Sequence, residues 1–280
     1  MSKPFIRTYV ELSDFCGLKC SFCPAPKGRR GEMGVEFFER VCTQISPFTQ
    51  NITFHLLGDP LYLSNLPQYL SIAEKYNLPV EIVTSGLYIH RFAPSLLLSP
   101  PIRQISISLS ALEEVREEVR ERVIERCLEL IEAHQNLHSQ TFINLRMHEN
   151  RLNPTLAKRL CERFGVRDEL EQKGRVRLAY RVFLLLTKSF EWVRAEQEGR
   201  SGEVSKKCYG LLSQVGILAN GVVVPCCIDC DGGIALGDLH TQSLDQILSS
   251  PRAIAIKRGF ERGVAVEEQC KRCTYRAVEM

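Results

Sequence analysis

The sequence predicts an α/β fold whose mainly parallel sheet is open or closes into a partial or complete barrel, followed by a small cysteine-rich unit. Two observations lead to this prediction. Six segments rich in β-branched and aromatic residues alternate with amphipathic segments, and this alternation favours parallel strands joined by right-handed helical crossovers. Six of the 12 cysteines then fall within residues 208–273.

The β-rich segments are the predicted strands, and they cover residues 5–12, 51–57, 79–84, 102–109, 141–147 and 176–186. Helices are predicted between them, near residues 34–46, 65–76, 88–98, 112–135 and 154–164. The fourth helix has the clearest period, because an apolar stripe recurs at helical spacing along one side of it. Asn153 before Pro154 is typical of an N-cap followed by proline at the first helical position.

A change in composition at residues 194–207 predicts a domain boundary. This segment carries charge and glycine without apolar periodicity. We therefore expect a core domain over residues 1–200 and a smaller domain over residues 201–280. Within the smaller domain we expect a hairpin that turns at Asn220 and Gly221, because Asn-Gly is the strongest short hairpin signal.

Length, charge and composition exclude several classes of protein. A chain of 280 residues with 44% hydrophobic content is long enough to bury a sizeable core, so it is not a disulfide-stapled miniprotein. The charged content of 25%, with both signs interspersed, argues against disorder. A net charge of +3 does not by itself indicate a nucleic-acid partner.

No segment of the sequence resembles a signal peptide or a transmembrane helix. The N-terminus lacks the apolar run and cleavage site of a secretory signal, and no stretch reaches about 18 consecutive apolar residues. We expect a cytoplasmic protein without a membrane partner, whose thiols stay reduced and serve metal binding, catalysis or burial. Cys42, Cys127 and Cys161 lie alone on predicted helices and are expected in the core.

Three cysteines lie close together after the first predicted strand, at Cys16, Cys20 and Cys23. Their spacing also fits one face of a helix, but Pro24 and Pro26 would break that helix at the third thiol. Structural zinc is a second alternative, although it needs four ligands and no fourth donor lies nearby in the sequence. An iron-sulfur cube held by three thiolates leaves one iron open, which favours a catalytic centre.

The CxxxCxxC spacing, with the aromatic Phe22 directly before the third cysteine, resembles the signature of the radical SAM enzymes. This resemblance implies a partial (β/α)6 barrel of the TIM type, a catalytic 4Fe-4S cluster on the three cysteines, and S-adenosylmethionine at the open iron. It also implies reductive cleavage of S-adenosylmethionine to methionine and a 5'-deoxyadenosyl radical, with a flavodoxin- or ferredoxin-type electron donor.

Further strand ends support the resemblance. Residues 57–60, Leu-Gly-Asp-Pro, are similar to the family's GGEP motif, whose backbone contacts the methionine amino group; a plain strand-ending turn is the alternative. The resemblance implies that serines at later strand ends hold ribose hydroxyls and that an arginine holds the methionine carboxylate. Local hydrogen bonding is the alternative for the serines. The predicted cofactor-binding residues are Phe22, Gly58, Asp59, Pro60, Ser85, Ser108, Ser110 and Arg146.

A second group of thiols lies near the C-terminus, at Cys208, Cys226, Cys227, Cys230, Cys270 and Cys273. These thiols can supply four ligands to zinc or to an iron-sulfur cluster, and spacing alone does not separate the two metals. Their pattern resembles that of radical SAM enzymes with a SPASM or twitch extension, including a Leu-Gly-Asp segment at residues 236–238.

The second resemblance implies an auxiliary 4Fe-4S cluster. A full SPASM domain uses seven cysteines for two clusters, whereas six are present here, so one auxiliary cluster is expected. Its expected ligands are Cys208, Cys226, Cys270 and Cys273. Cys227 and Cys230 are left as spare thiols, or one of them as an alternate ligand.

Asp229 lies between Cys227 and Cys230 in the sequence. It is a candidate catalytic base for a substrate that loses a proton. The alternative is a turn-capping role before the Asp-Gly-Gly segment at residues 231–233. His55 and His148 lie at strand ends and are assigned no role, because lone histidines more often pack or hydrogen-bond.

Together these features predict a radical SAM oxidoreductase that abstracts hydrogen from its substrate and completes a net oxidation with the help of the auxiliary cluster. The substrate is expected to be a small molecule or a peptide, and a short chain without an N-terminal peptide-recognition wing favours a small molecule or a short motif. Two other classes stay open. One is an RNA-binding modification protein, which would need a basic face, and the other is a noncatalytic zinc-stabilised module.

Overall fold

A mixed sheet of ten strands organises the protein. The computed structural model describes residues 3–24, 30–189, 192, 204–205 and 207–275. In that part of the chain the strands are β1 (Phe5–Val10), β2 (Thr49–Phe54), β3 (Val80–Thr84), β4 (Ile102–Ser108), β5 (Phe142–His148), β6 (Arg175–Ala179), β7 (Val182–Thr187), β8 (Val204–Ser205), β9 (Gln214–Ile217), β10 (Val222–Val224), β11 (Gly237–Asp238) and β12 (Val264–Ala265). The sheet runs β11-β10-β9-β1-β2-β3-β4-β5-β7-β6, while β8 and β12 pair with each other.

The six-stranded parallel core that the sequence predicts is confirmed, with β1, β2, β3, β4, β5 and β7 as neighbours in parallel register. The prediction of one continuous strand over residues 176–186 is wrong. Residues 176–186 form two antiparallel strands, β6 and β7, because the chain turns at Tyr180 and Arg181. Arg181 adopts a φ of 55°, and the almost continuous apolar run around it hides this turn in the sequence.

Helices cover the outer face of the sheet. The described helices are α1 (Val35–Ile45), α2 (Leu66–Lys75), α3 (Pro94–Leu97), α4 (Glu117–Asn136), α5 (Pro154–Arg163), α6 (Leu170–Lys173), α7 (Leu244–Leu248), α8 (Pro251–Glu261) and α9 (Glu268–Arg272). The third predicted helix is reduced to a 3-10 turn, Ile89–Arg91, and the short α3. Asn153 caps α5 as predicted, because its side chain accepts a hydrogen bond from the Leu156 backbone N–H at 2.9 Å. None of the helices in the described ranges is long and apolar enough to cross a membrane.

The three isolated cysteines lie in the hydrophobic core between the sheet and these helices. Cys42, Cys127 and Cys161 are at most 2% exposed and belong to the main buried cluster. The prediction that they pack as small hydrophobic residues is confirmed. The remaining nine cysteines are therefore the ones available for chemistry.

The predicted hairpin forms from β9 and β10 and turns at Asn220 and Gly221. Gly221 has a φ of +87°, and an added Cβ would lie 2.9 Å from the ring of Phe37. The hairpin extends the main sheet, because β9 pairs in parallel with β1. Pro26 and most of the predicted boundary at residues 194–207 lie outside the described residues, so the division at residue 200 stays a prediction.

Candidate active site

The three N-terminal thiols lie on an irregular loop that follows β1. Residues 16–23 contain a turn but no helix, so the alternative of a helical stripe is wrong. Cys16 and Cys20 are half-buried and Cys23 is exposed, and all three are free thiols. They line one cavity of about 170 Å³ at the carboxyl ends of the central parallel strands. Ligand cavities occur at this edge in α/β folds.

Burial keeps these thiols protonated when no metal is present. It raises the pKa of Cys16 to about 12 and that of Cys23 to about 11. Thiolates are soft ligands that suit iron-sulfur clusters, and metal binding displaces their protons. Among the described residues, no group of three or more His, Cys, Asp or Glu side chains is arranged to hold a single metal ion. A cube attaches each thiolate to a different iron, so its ligands are spaced more widely than those of one ion.

The turn after β2 packs directly against the cysteine loop. A Cβ on Gly58 would lie 1.7 Å from the Ser13 carbonyl oxygen, so only glycine fits there. The Asp59 backbone N–H also donates to the Phe15 carbonyl oxygen at 2.8 Å. Leu56, just before this turn, has a φ of 106°, a strained conformation for a residue with a side chain. This close approach fixes the predicted motif beside the thiols.

Asp59 lines the cavity but uses its carboxylate to hold neighbouring loops together. The carboxylate accepts hydrogen bonds from Thr84 Oγ1 at 2.8 Å, from the Ser85 backbone N–H at 2.9 Å and from Ser85 Oγ at 2.6 Å. It also accepts from the Leu61 backbone N–H at 3.0 Å. Burial raises the pKa of Asp59, and these hydrogen bonds oppose that rise. Asp59 therefore joins the turn after β2 to the end of β3.

The predicted serines occupy different environments. Ser85 and Ser108 line the cavity. The Ser85 hydroxyl donates to Asp59 and accepts from the Leu87 backbone N–H, so much of its hydrogen-bonding capacity is already used. Ser110 is 1% exposed, does not line the cavity, and accepts a hydrogen bond from the His148 backbone N–H at 2.8 Å. Its predicted contact with cofactor is therefore not supported, and the alternative of local bonding describes it.

Phe22, Gly58 and Arg146 also line the cavity, whereas Pro60 is buried in a 3-10 turn and does not line it. Burial lowers the pKa of the half-buried Arg146 guanidinium, although Tyr9 and Cys227 oppose this effect. A guanidinium in such a site favours a carboxylate or another hydrogen-bond acceptor as its partner. Arg146 is therefore suited to hold an anionic group.

Several cavity residues were not assigned a role from the sequence, chiefly His55 and His148. Burial, reinforced by Arg146 and Arg7, lowers the pKa of His55 to about 3. Burial also lowers the pKa of His148, whose ring packs against that of Phe22 with 5.2 Å between centroids. Both imidazoles are therefore neutral near pH 7. Their positions at strand ends were the only signal that the sequence offered.

The C-terminal thiols form a second site. Cys208, Cys226, Cys270 and Cys273 line a small cavity of about 30 Å³. Cys227 and Cys230 do not line it, and Cys227 lies near Tyr9 instead. The structure thus brings together the four thiols that were predicted as auxiliary ligands. Four soft donors around one small space fit an iron-sulfur cluster.

Asp229 belongs to this second site and not to the first cavity. Its buried carboxylate accepts hydrogen bonds from the backbone N–H groups of Gly233 and Ile234 at 2.8 Å and from Gln269 Nε2 at 2.9 Å. The prediction of a catalytic base is not supported, because the carboxylate does not line the cavity of Cys16 and its oxygens are occupied by these hydrogen bonds. The turn-capping alternative describes its contacts.

Two family models match the chain. The model of the radical SAM superfamily matches residues 10–150, which include the cysteine loop and the strands around the first cavity. The chain belongs to the radical SAM superfamily. An iron-sulfur cluster-binding domain, SPASM, matches residues 208–274. This radical SAM protein therefore binds S-adenosylmethionine and a 4Fe-4S cluster, and its SPASM domain adds auxiliary iron-sulfur binding.

A curated relative shares part of this sequence. The S-adenosyl-L-methionine-dependent 2-deoxy-scyllo-inosamine dehydrogenase of Niallia circulans is 31% identical over 81 residues. That match covers 27% of this radical SAM chain and 32% of the relative, about a third of the relative's length.

Solved structures share the fold. BtrN in complex with AdoMet and 2-DOIA has a TM-score of 0.57 at 15% identity, covering 98% of this chain and 95% of BtrN. SuiB of Streptococcus suis bound to the precursor peptide SuiA has a TM-score of 0.57 at 16% identity, covering 91% of this chain and 67% of SuiB. At these identities the likeness shows the open, partial barrel of radical SAM enzymes.

Proposed function

We propose that this protein is a radical SAM dehydrogenase that oxidises a hydroxyl-bearing carbon of a small polar molecule. The observation that carries the proposal is the pairing of two thiol sites, one opening into a cavity whose wall includes polar side chains and one with little free space. The partial sequence match to a cyclitol-amine dehydrogenase supports the reaction type. An auxiliary cluster held by the second thiol site would provide an acceptor for the second electron of the oxidation.

Three thiols hold the catalytic cluster in this proposal, and other cavity residues place S-adenosylmethionine beside it. Cys16, Cys20 and Cys23 are the ligands, and the backbone at Gly58 receives the methionine amino group. Ser108 and Arg146 bind the ribose and carboxylate groups. When bound and reduced by one electron, the cofactors supply a 5'-deoxyadenosyl radical that removes a hydrogen atom from the substrate carbon.

The oxidation also releases the hydroxyl proton, and His148 is suited to accept it. This side chain lines the cavity, and burial keeps its imidazole neutral and able to take a proton. Ser110 fixes the His148 backbone, and the Phe22 ring packs against the imidazole. The alcohol thus loses a hydrogen atom, a proton and an electron, and becomes a ketone.

The auxiliary site would accept the remaining electron. Cys208, Cys226, Cys270 and Cys273 form its four-thiolate shell, and Asp229 with Gln269 holds the adjacent turn. Four protein ligands leave no open iron, which suits electron storage and not substrate binding.

Isotope transfer tests the proposal directly. Anaerobically reconstituted protein is incubated with dithionite, S-adenosylmethionine and 2-deoxy-scyllo-inosamine carrying deuterium on its carbinol carbons. We expect 5'-deoxyadenosine that contains one deuterium, and a ketone product, with neither formed by the Cys20→Ala variant. Absence of 5'-deoxyadenosine under every condition would contradict the radical SAM activity.

A peptide substrate is the second candidate, because solved structures with the same fold contain bound peptides. A panel of deuterated cyclitols and serine- or cysteine-containing peptides separates the two classes by which substrate labels the 5'-deoxyadenosine. Label from peptides alone would replace the small-molecule proposal.

A further inference from the structure

A surface patch next to the cysteine loop combines one exposed and two half-buried aromatic rings with a positive charge. We call Tyr62, Tyr88, Arg91 and Phe92 the aromatic-arginine patch. The Arg91 guanidinium lies 5.4 Å from the ring centroid of Tyr62 and 4.6 Å from that of Tyr88. Tyr62 is 37% exposed, and three members of the patch, Tyr62, Arg91 and Phe92, line a surface cavity of about 560 Å³ together with Ser64. This composition, aromatic with arginine, is enriched at the energetic centres of protein interfaces.

The patch directly contacts the residues on both sides of the first cluster ligand. Gly17 is exposed, and a Cβ added there would lie 1.9 Å from the Tyr88 hydroxyl oxygen, so that hydroxyl packs on the Gly17 backbone. On the other side of Cys16, the Phe15 ring lies 5.9 Å from that of Tyr62. The patch is therefore the surface continuation of the loop that carries Cys16.

The patch takes no part in the catalytic cavity. Of its members none lines that cavity, so substrate or cofactor contact does not explain it. In the described part of the chain, the Arg91 guanidinium lies against the two tyrosine rings and donates a hydrogen bond to the Tyr62 carbonyl oxygen. The groups that contact the Arg91 guanidinium are therefore neutral and do not compensate its positive charge. The exposed Lys19 adds a second positive charge on the cysteine loop. A surface with these positive charges is suited to a negatively charged partner.

We propose that the aromatic-arginine patch is the docking surface for an acidic one-electron carrier protein of the flavodoxin type. This inference rests on the proposed function, because radical generation requires an electron from outside the protein. In the step, the reduced carrier is oxidised by one electron and the cluster on Cys16, Cys20 and Cys23 is reduced by one, with no bond formed or broken. The rate of electron transfer between proteins falls steeply with the distance between donor and acceptor. A docking surface in contact with the cluster loop shortens that distance and so favours the transfer.

The experiment compares a protein reductant with a small one. Reconstituted enzyme converts S-adenosylmethionine to 5'-deoxyadenosine with either reduced flavodoxin or dithionite as the electron source. For Arg91→Glu we expect the flavodoxin-driven kcat/KM to fall about tenfold, because charge reversal repels an acidic partner. The dithionite-driven rate should stay at the wild-type value, since dithionite needs no docking surface.

Direct binding supplies a second readout. Calorimetric titration of the holoenzyme with flavodoxin should give a Kd about tenfold higher for Arg91→Glu, and higher salt should weaken wild-type binding. Lys257→Glu, which makes the same charge change on the exposed face of α8, is the matched control and should bind flavodoxin like wild type. Tyr62→Ser tests the aromatic part of the patch without reversing a charge and should weaken flavodoxin binding in the same direction.

Each contrary result has a separate meaning. Equal flavodoxin affinity and flavodoxin-driven rate in wild type, Arg91→Glu and Tyr62→Ser would overturn the docking surface. An equal loss with both reductants would also overturn it, because the patch would then support the cluster and not the carrier. Absence of 5'-deoxyadenosine from wild type with dithionite would instead refute the proposed function.

Discussion

The two thiol sites of this protein differ in what surrounds the sulfur atoms. Around Cys16, Cys20 and Cys23 lies a cavity of about 170 Å³ whose walls include histidine, serine and arginine side chains. Around Cys208 lies a cavity of about 30 Å³ lined chiefly by the other three thiols and apolar groups. The first cavity is the larger and presents polar side chains, whereas the second is small and its wall is mainly thiol and apolar.

Each site also contains a buried aspartate, and the two aspartates have parallel roles. Asp59 ties the turn after β2 to the end of β3, and Asp229 caps the turn after β10. Neither carboxylate is free to take part in proton transfer. The difference between the sites therefore resides in the open space and in the uncommitted polar groups that line it, which allow chemistry at one site and favour electron storage at the other.

The largest expected effect is the loss of a catalytic thiol, compared with the loss of a thiol in the hydrophobic core. Cys20→Ala should abolish 5'-deoxyadenosine formation and reduce the iron content from about eight to about four per chain, because a cube cannot be held by two thiolates. Iron analysis and chromatography of the nucleoside products measure both. Cys161→Ala, in the core, is the control and should keep both values. If Cys20→Ala still cleaved S-adenosylmethionine at the wild-type rate, Cys20 would not be a ligand of the catalytic cluster.

Loss of an auxiliary ligand should uncouple two activities. Cys270→Ala should retain cleavage of S-adenosylmethionine but lose ketone formation, because the second electron has no acceptor. Its iron content should fall to about four per chain. Cys227→Ala, next in sequence to a proposed ligand but outside the cavity, should keep the wild-type iron content. A similar loss of iron in Cys227→Ala would show that Cys227 is a cluster ligand and would contradict the proposed ligand set.

The paired aspartates give a smaller effect that distinguishes the sites. Asp59→Asn puts an amide donor against the Thr84 and Ser85 donors, so the wall of the cofactor site should loosen. We expect the Kd of S-adenosylmethionine to rise about tenfold, the equivalent of about 1.4 kcal/mol. Equilibrium dialysis measures it. Asp229→Asn should leave this Kd unchanged while lowering auxiliary iron, and equal effects of both variants on the Kd would contradict the separation.

The smallest expected effect concerns pH. The folded-state pKa of His55 is lowered to about 3, so between that value and about 6.5 the unfolded chain binds more protons. Stability contributed by the neutral ring is complete above about pH 6.5 and is lost as pH falls below it. Urea unfolding at pH 7.5 and 5.5 should show about 1 kcal/mol less pH-dependent loss for His55→Asn than for wild type.

His138→Asn, at an exposed turn, controls for the substitution itself. An identical pH dependence in wild type and His55→Asn would show that His55 is accessible to protons in the folded protein.

Local patterns were sufficient for most of the fold. The alternation of strands and helices predicted the parallel core, Asn153 predicted a helix start, and Asn220 with Gly221 predicted a hairpin. These features depend on neighbouring residues, so the sequence expresses them directly. The turn at Tyr180 and Arg181 was missed because apolar residues on both sides continue the strand pattern across it.

The site was predictable where a motif carries the chemistry. Cysteine spacing indicated both thiol sites, and the residues at strand ends identified much of the first cavity. The orientation of single polar side chains was not predictable. Ser110 and Asp229 carry suitable groups at suitable positions, yet both are committed to backbone N–H groups that fold back onto them. Whether a hydroxyl or carboxylate faces a cavity depends on these contacts.

The sequence by itself determined the class of this protein, because three thiols at fixed spacing and a parallel α/β pattern are local features that specify a cluster and the sheet beside it. Only the tertiary structure decided that the four expected C-terminal thiols share one cavity without Cys227 and Cys230, where the two aspartates act, and that Tyr62 and Arg91 lie beside the cluster loop. Those relations join residues far apart in the chain, and the packing of strands and loops fixes them.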